Sequence, residues 1–197
     1  LTLDFGSDDG SFHSTAHAHE ALLLRPKEGH DGALPSANAV AARALARLGS
    51  HFGRSDWLEL AEAALEAYGQ SAARAPRAFA TTLSVLERLR EPPLEVVTVG
   101  KAGSPDLRTL LGEIAKVYLP NATWAHAGAE QTQNGEALPL TRDKPFVDGS
   151  ATLYVCRNFS CQGPIIDASM ARAELARASA ESLSHEFEGA SDGHASP

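Results

Sequence analysis

Leu94-Glu95-Val96-Val97-Thr98-Val99, closed by Gly100, is the stretch on which the fold class turns. Its β-branched run reads as a buried strand, set in a chain otherwise patterned for helices. Downstream, Ser104-Pro105-Asp106 opens a helix carrying Leu107, Leu110, Leu111, Ile114 and Tyr118, and Pro120 stops it. Ala122-Thr123-Trp124-Ala125-His126 reads as a second strand, which makes a βαβ unit with a right-handed crossover. The turn Gly100-Lys101-Ala102-Gly103-Ser104 lies where a Rossmann fold binds phosphate. It lacks the full G-x-G-x-x-G spacing, and no acidic residue ends the second strand, so it reads as a tight turn without a ligand.

Beyond a polar, irregular stretch at 128–145, Phe146-Val147 and Ala151-Thr152-Leu153-Tyr154-Val155 flank Asp148-Gly149-Ser150, a hairpin signal. Asp167 caps a last helix with Met170, Ala173, Ala176, Ala180, Leu183 and Phe187 along one side. From Glu188 the composition predicts a frayed tail.

Upstream of the strand, three helices are expected, joined by short loops into antiparallel hairpins. The first runs from about Ala37 to Leu48 with Val40, Ala44, Leu45 and Leu48 on its inner face. The second runs from the N-cap Ser55 to Gly69, with Leu58, Ala61, Leu65 and Tyr68 inward. The third spans about Pro76 to Arg90, with Phe79, Leu83, Leu86 and Leu89 at helical spacing, and Pro92-Pro93 end it.

The polar stretch ahead of the first of these helices, Arg25 to Asn38, combines two prolines, two glycines, titratable side chains and a Ser/Asn pair. Ser36 is placed to accept from the first free N–H groups of the helix. Ordering such a loop costs entropy, so a domain that keeps one uses it to position polar groups or to make a capped interhelical turn.

The chain has 197 residues, 43% of them hydrophobic, and a net charge of −8, which argues against a broad nucleic-acid footprint. No apolar run reaches the roughly 18 residues of a membrane span, and no secretory leader is visible. Two cysteines do not make a disulfide scaffold, and they fit a reducing, cytoplasmic setting. His13 and His17 stand at i, i+4, a metal-ligand spacing, but Glu20 follows His19 and no third ligand is near, so surface histidines are the expected reading and no metal or other cofactor is assigned. Four residues separate Cys156 from Cys161, against two in thioredoxin-type motifs. That leaves structural thiols, a redox or regulatory pair, or a metal site completed by histidines.

Several runs in order resemble a known family. They are Leu22-Leu23-Leu24-Arg25-Pro26-Lys27, Asp31-Gly32-Ala33-Leu34-Pro35-Ser36-Ala37-Asn38-Ala39-Val40-Ala41-Ala42, Tyr154-Val155-Cys156-Arg157-Asn158-Phe159-Ser160-Cys161 and Pro164-Ile165-Ile166-Asp167. Together with the strand Glu95 to Gly100 and the stop Tyr118-Leu119-Pro120-Asn121, they resemble the end of the spermatogenesis-associated, thioredoxin-like-domain protein family, over about residues 10 to 175. The resemblance implies an N-terminal thioredoxin-like domain followed by an (α/α)6 toroid similar to that of six-hairpin glycosidases and N-acylglucosamine 2-epimerases. This chain would hold only the closing helical hairpins of the toroid and a small α/β appendage.

The expected class is therefore α+β, with residues 1–93 as helical hairpins of the toroid, 94–187 as the βαβ/hairpin appendage with its C-terminal helix, and 188–197 as tail. Two functions follow as expectations. In one, the toroid cavity takes a carbohydrate-like, polyhydroxylated ligand, with Asp31 as acid/base or acceptor and Arg25 as a clamp. Ser36 and Asn38 then orient the ligand and His13 is an outside candidate for proton transfer, whereas a purely structural reading makes Arg25 and Asp31 a buried pair holding the loop. In the other, the chain is a noncatalytic scaffold for the upstream toroid and thioredoxin-like domain, in the same protein or a separate chain, and Cys156/Cys161 exchange with that domain's dithiol. Neither nucleic acid nor membrane is an expected partner.

Overall fold

The computed structural model describes residues 2–18, 23–130, 138–158 and 160–191, with side chains left aside for Thr2 and 182–191. His19, Glu20 and Leu22 of the motifs above, and the side chains of Leu183 and Phe187, lie outside what is described. The chain divides into two compact units, Leu1–Glu91 and Pro92–Pro197. Helices and a small four-stranded mixed sheet give the α+β class.

The first unit is helical. After a single turn α1 (Thr2–Phe5), the main elements are α2 (Ala37–Phe52), α3 (Ser55–Glu66), the short α4 (Gly69–Arg74) and α5 (Ala80–Arg90), the last entered through a 3-10 turn at Pro76–Phe79. Ser36 caps α2 as expected, its hydroxyl accepting from the Ala39 N–H at 3.1 Å. Ser55 does not cap α3; it is the first helical residue and Arg54 stands at the cap. Gly69 does not stop a helix but begins one.

Of the stripe expected on the inward face of α2, Leu45 packs against the core, but the rest of the face differs. Val40 and Leu48 are 40% and 44% exposed, while Asn38, Ala39, Ala42, Ala46 and Gly49 are buried. The reason is closeness of approach. A Cβ on Gly49 would stand 2.9 Å from the Leu58 side chain and 3.0 Å from the Arg54 carbonyl oxygen, so only small residues fit this seam. Phe12, Ala61, Ala64, Leu65 and Val85 complete the core. On α5, Leu83 lies at the surface and Thr82 and Val85 are buried, while Leu86 and Leu89 pack against the core as expected.

The second unit is built on β1 (Leu94–Gly100), all seven residues of which are buried. It pairs in parallel with β2 (Thr123–Gly128), across α6 (Pro105–Ile114), as the βαβ reading requires. Ser104 caps α6, accepting from the Leu107 N–H. On its other side β1 pairs antiparallel with β3 (Thr152–Arg157), and β3 with the short β4 (Ser160–Cys161), for an order β2-β1-β3-β4. The expected hairpin at Asp148-Gly149-Ser150 shrinks to one bridge between Val147 and Ser150. Thr152 explains this: its hydroxyl accepts from the Val147 N–H and donates to the Ser150 carbonyl, closing the turn locally and releasing β3 to β1.

Alternation along β1 sorts two cores. Leu94 and Val96 face α6 and α7 (Ala168–Ser191), meeting Leu110, Leu153, Val155, Ala171 and Leu175. Val97 and Val99 face the opposite way onto Ala127, Leu140, Tyr154 and Cys156. Asp167 caps α7 as expected, accepting from the Met170 N–H at 2.9 Å. The buried stripe of α7 is Ala171, Leu175 and Ala178, while Met170 is 64% exposed, so the inward face is displaced from the expected one. The helix runs past residue 188, where a tail is expected, to Ser191.

Candidate functional site

The polar stretch at 25–38 folds as a set of backbone anchors. Asp31 accepts from the Ser36 N–H through Oδ1 at 2.9 Å and from the Thr81 N–H through Oδ2 at 2.8 Å, while its own N–H donates to the Ala78 carbonyl. It thus ties the loop to the first turn of α5. Partial burial raises its pKa, but the Thr81 and Ser36 amides outweigh that and hold the carboxyl below the usual range. Asn38 is 2% exposed and fully used: Oδ1 accepts from the Phe12 N–H at 2.7 Å, and Nδ2 donates to the carbonyls of Phe12 and Glu28, both at 2.9 Å. Gly29 lies under the Tyr68 ring, where a Cβ would fall 2.0 Å from Cδ1.

Arg25 donates to the Thr15 carbonyl at 2.6 Å and the Asp4 carbonyl at 3.2 Å, and its carbonyl oxygen lies 3.1 Å from His13 Nδ1. The buried Arg25 Nε has no hydrogen-bond partner among the described residues. Arg25 and Asp31 do not form the ion pair that a structural reading of the loop expects; each holds backbone separately. Nearby, Lys27 pairs with Asp9 at 2.5 Å, and that contact with the Ser11 hydroxyl holds the Asp9 carboxyl far below its usual range. Hence the structure groups His13 with Arg25, and Asp31, Ser36 and Asn38 around the start of α2.

A groove of about 440 Å³ opens elsewhere on the helical unit, between α3, α4 and α5. Glu62, Glu66, Leu65, Leu86 and Arg90 are on its walls, and none of the five residues singled out for ligand chemistry lines it. Among the described residues no cluster of three His, Cys, Asp or Glu side chains is placed to hold a metal.

In the sheet unit, Cys156 and Cys161 form a disulfide with their Cα atoms 3.9 Å apart. They oppose each other across the β3–β4 hairpin, whose turn places Asn158 at φ 50°. The Gln162 N–H donates to the Val155 carbonyl, which makes that pair the hydrogen-bonded one and Cys156/Cys161 the adjacent, closer-spaced pair. Cys156 is fully buried and Cys161 is at the surface. Spacing alone leaves this pairing open, because it depends on a two-residue turn between the cysteines.

Sequence reasoning passed over Glu95. This residue sits within the hydrophobic run of β1 with only 9% of its surface exposed, beside the equally buried Lys144. Burial pushes its carboxyl above the usual range, and Lys144 pulls it part of the way back. A charged residue inside a β-branched run is the signal that marks it.

No protein-family model matches the chain. Curated relatives do. Human spermatogenesis-associated protein 20 is 32% identical over 159 residues, covering 80% of this chain and 20% of the relative. The mouse and rat proteins of the same name are each 31% identical over the same length. The chain therefore spans about one fifth of the length of the curated relatives it matches, and it is homologous to that part of them.

Proposed function

From its homology to the spermatogenesis-associated family, we propose that this chain is a noncatalytic scaffold segment of a thioredoxin-like-domain protein, in which Cys156 and Cys161 exchange with a partner dithiol. The helical unit would be the closing hairpins of an (α/α)6 toroid, and the sheet unit its appendage. The observation that carries the scaffold reading is Asp31: both carboxylate oxygens accept from backbone amides, so the group is engaged in holding the loop to α5. Asn38 supports it in the same way, with Phe12 and Glu28 as its partners.

The exchange part rests on the disulfide with one exposed sulfur-bearing residue. A partner thiolate attacks Sγ of Cys161, the Sγ–Sγ bond breaks, and Cys156 leaves as the second thiol. The partner's second thiol then displaces Cys161, so the partner dithiol is oxidised as the chain's disulfide is reduced. The expected location is the cytoplasm, where a disulfide of this kind is transient or redox-sensing rather than a permanent staple. Among the described residues no helix is long and apolar enough to cross a membrane.

A carbohydrate-like ligand remains a second reading because the α3–α5 groove is concave and carries both Glu62 and Glu66 on its walls. Its residues would then be those of the groove rather than Asp31, Arg25, Ser36, Asn38 or His13. Thiol titration with and without a dithiol tests the first reading, and calorimetric titration with mono- and disaccharides tests the second. Two thiols appearing after reduction and disappearing on addition of an oxidised dithiol support exchange; a disulfide that resists dithiothreitol in the folded chain overturns it.

A further inference from the structure

We propose that Glu95 is the proton acceptor and donor for Cys156 during thiol–disulfide exchange, which rests on the exchange reading above and adds its proton path.

The argument begins with register. Glu95 of β1 is directly opposite Cys156 of β3. The Asn158 N–H donates to the Pro93 carbonyl, and two positions along the ladder this makes Glu95/Cys156 a hydrogen-bonded pair, with Cα atoms about 5.5 Å apart. Opposed residues in an antiparallel pair project from the same face. That face is the one carrying Val97, Val99, Tyr154 and Cys156, against which Leu140 and Phe146 pack. A glutamate side chain spans this separation. The carboxyl and the thiol therefore share one largely apolar, water-poor layer.

Such a layer creates the need that Glu95 meets. Cys156 is 0% exposed, and a thiolate there would have to form without water to solvate it. Moving a proton between neighbouring groups places that charge on the Glu95 carboxylate, beside Lys144, instead of on the sulfur. On reduction, the bond between the two sulfurs breaks toward Sγ of Cys156, and the Glu95 carboxylic acid gives its proton to that sulfur. On oxidation, the Glu95 carboxylate takes the Cys156 proton, Sγ of Cys156 attacks Sγ of Cys161 in a mixed disulfide, and the partner leaves as thiolate. Electrons pass only between sulfurs, and the proton returns to the carboxylate it came from. Burial raises the Glu95 pKa, which brings the acid and base forms closer to the working range of a thiol.

The groups around Glu95 are few. Lys144 approaches from the segment covering this face and favours the carboxylate. On β3, Tyr154 lies diagonally, with its hydroxyl donating to the Pro145 carbonyl at 2.7 Å. On β2 the opposed residue is Thr123, which does not titrate.

The test uses the full chain, reduced and then mixed with oxidised glutathione. Mass spectrometry of quenched samples follows the mixed disulfide at Cys161 and its closure onto Cys156 from pH 5 to 9. The wild type is expected to close at least tenfold faster at pH 7 than Glu95→Gln, with a rate that levels off once Glu95 is ionised. Glu95→Gln should instead rise through the ordinary thiol range near pH 8–9, and Glu95→Asp should restore part of the rate. Alkylation of Cys161 by iodoacetamide should be the same in all three, which separates proton transfer from a damaged fold. Equal closure rates and matching pH profiles in wild type and Glu95→Gln overturn the role of Glu95 while leaving exchange intact. A wild type that never closes the disulfide overturns exchange itself, and the role of Glu95 with it.

Discussion

Replacing Asp31 with alanine isolates the most connected polar group of the helical unit. The change removes acceptors from the backbone amides of Ser36 and Thr81, five and fifty positions along the chain from Asp31, at 2.9 and 2.8 Å. Hydrogen bonds to charged groups contribute about 1.5–3 kcal/mol each when buried. Asp31 is only partly buried, so water replaces some of what is lost, and a total cost of about 2–3 kcal/mol is expected. Urea unfolding in a Trp124→Phe background reads this out, because the remaining Trp57 reports on the helical unit alone. With a slope of about 1–3 kcal/mol per molar urea, the midpoint should fall by roughly 1–2 M. The sign of the pH dependence follows from a depressed carboxyl. Wild-type stability over Asp31→Asn is complete above the ordinary carboxylate pKa and shrinks as pH falls through the lower pKa of folded Asp31. A loss under about 0.5 kcal/mol, or an advantage that grows toward acid, would refute the anchoring argument and return Asp31 to ligand chemistry.

Further outcomes follow from other contacts. Asn38→Ala takes the side-chain partner from the Phe12 N–H and the Phe12 carbonyl in a buried site and should cost about 2–4 kcal/mol by the same urea assay. Gly29→Ala drives a methyl into the Tyr68 ring and should destabilise by about 1–3 kcal/mol, with much of the loss recovered in Gly29→Ala/Tyr68→Ala. Gly53→Ala meets no neighbour but must hold φ at 62°, so its cost should stay near 1 kcal/mol. Reducing the disulfide, which closes a loop five positions apart in sequence, should lower the stability of the sheet unit by about 2 kcal/mol, measured through Trp124 in a Trp57→Phe background.

How far the sequence could be read depended on what decided each feature. The βαβ unit was legible because β1 is buried on both faces and so spells a β-branched, mostly apolar run broken only by Glu95 and Thr98, while Ser104 and Pro105 mark the helix start chemically. The caps at Ser36 and Asp167 were legible for the same local reason. The inward face of α2 was not, because a rule that points leucines inward fails where helices meet across Ala42, Ala46 and Gly49. The antiparallel return of β3 to β1 was hidden too: its partner lies some sixty residues earlier, and only the local turn was visible from sequence. At the polar loop the residue types were recognised, but which groups they bind is a tertiary matter. Asp31 finds its amide on Thr81, and Glu95 gains its interest only once Cys156 is set beside it.

The tie between residue 31 and residue 81 also sets an order of events during synthesis. The loop precedes the main helices of its unit, yet the amide that fixes it belongs to the last of them. Until that helix has been made, Oδ2 of Asp31 has only water to bind, and the loop is held by its local contacts to Ser36 and Asn38. The helical unit is thus latched from its far end, so a nascent chain halted before Thr81 would lack the fastening that its own first half requires.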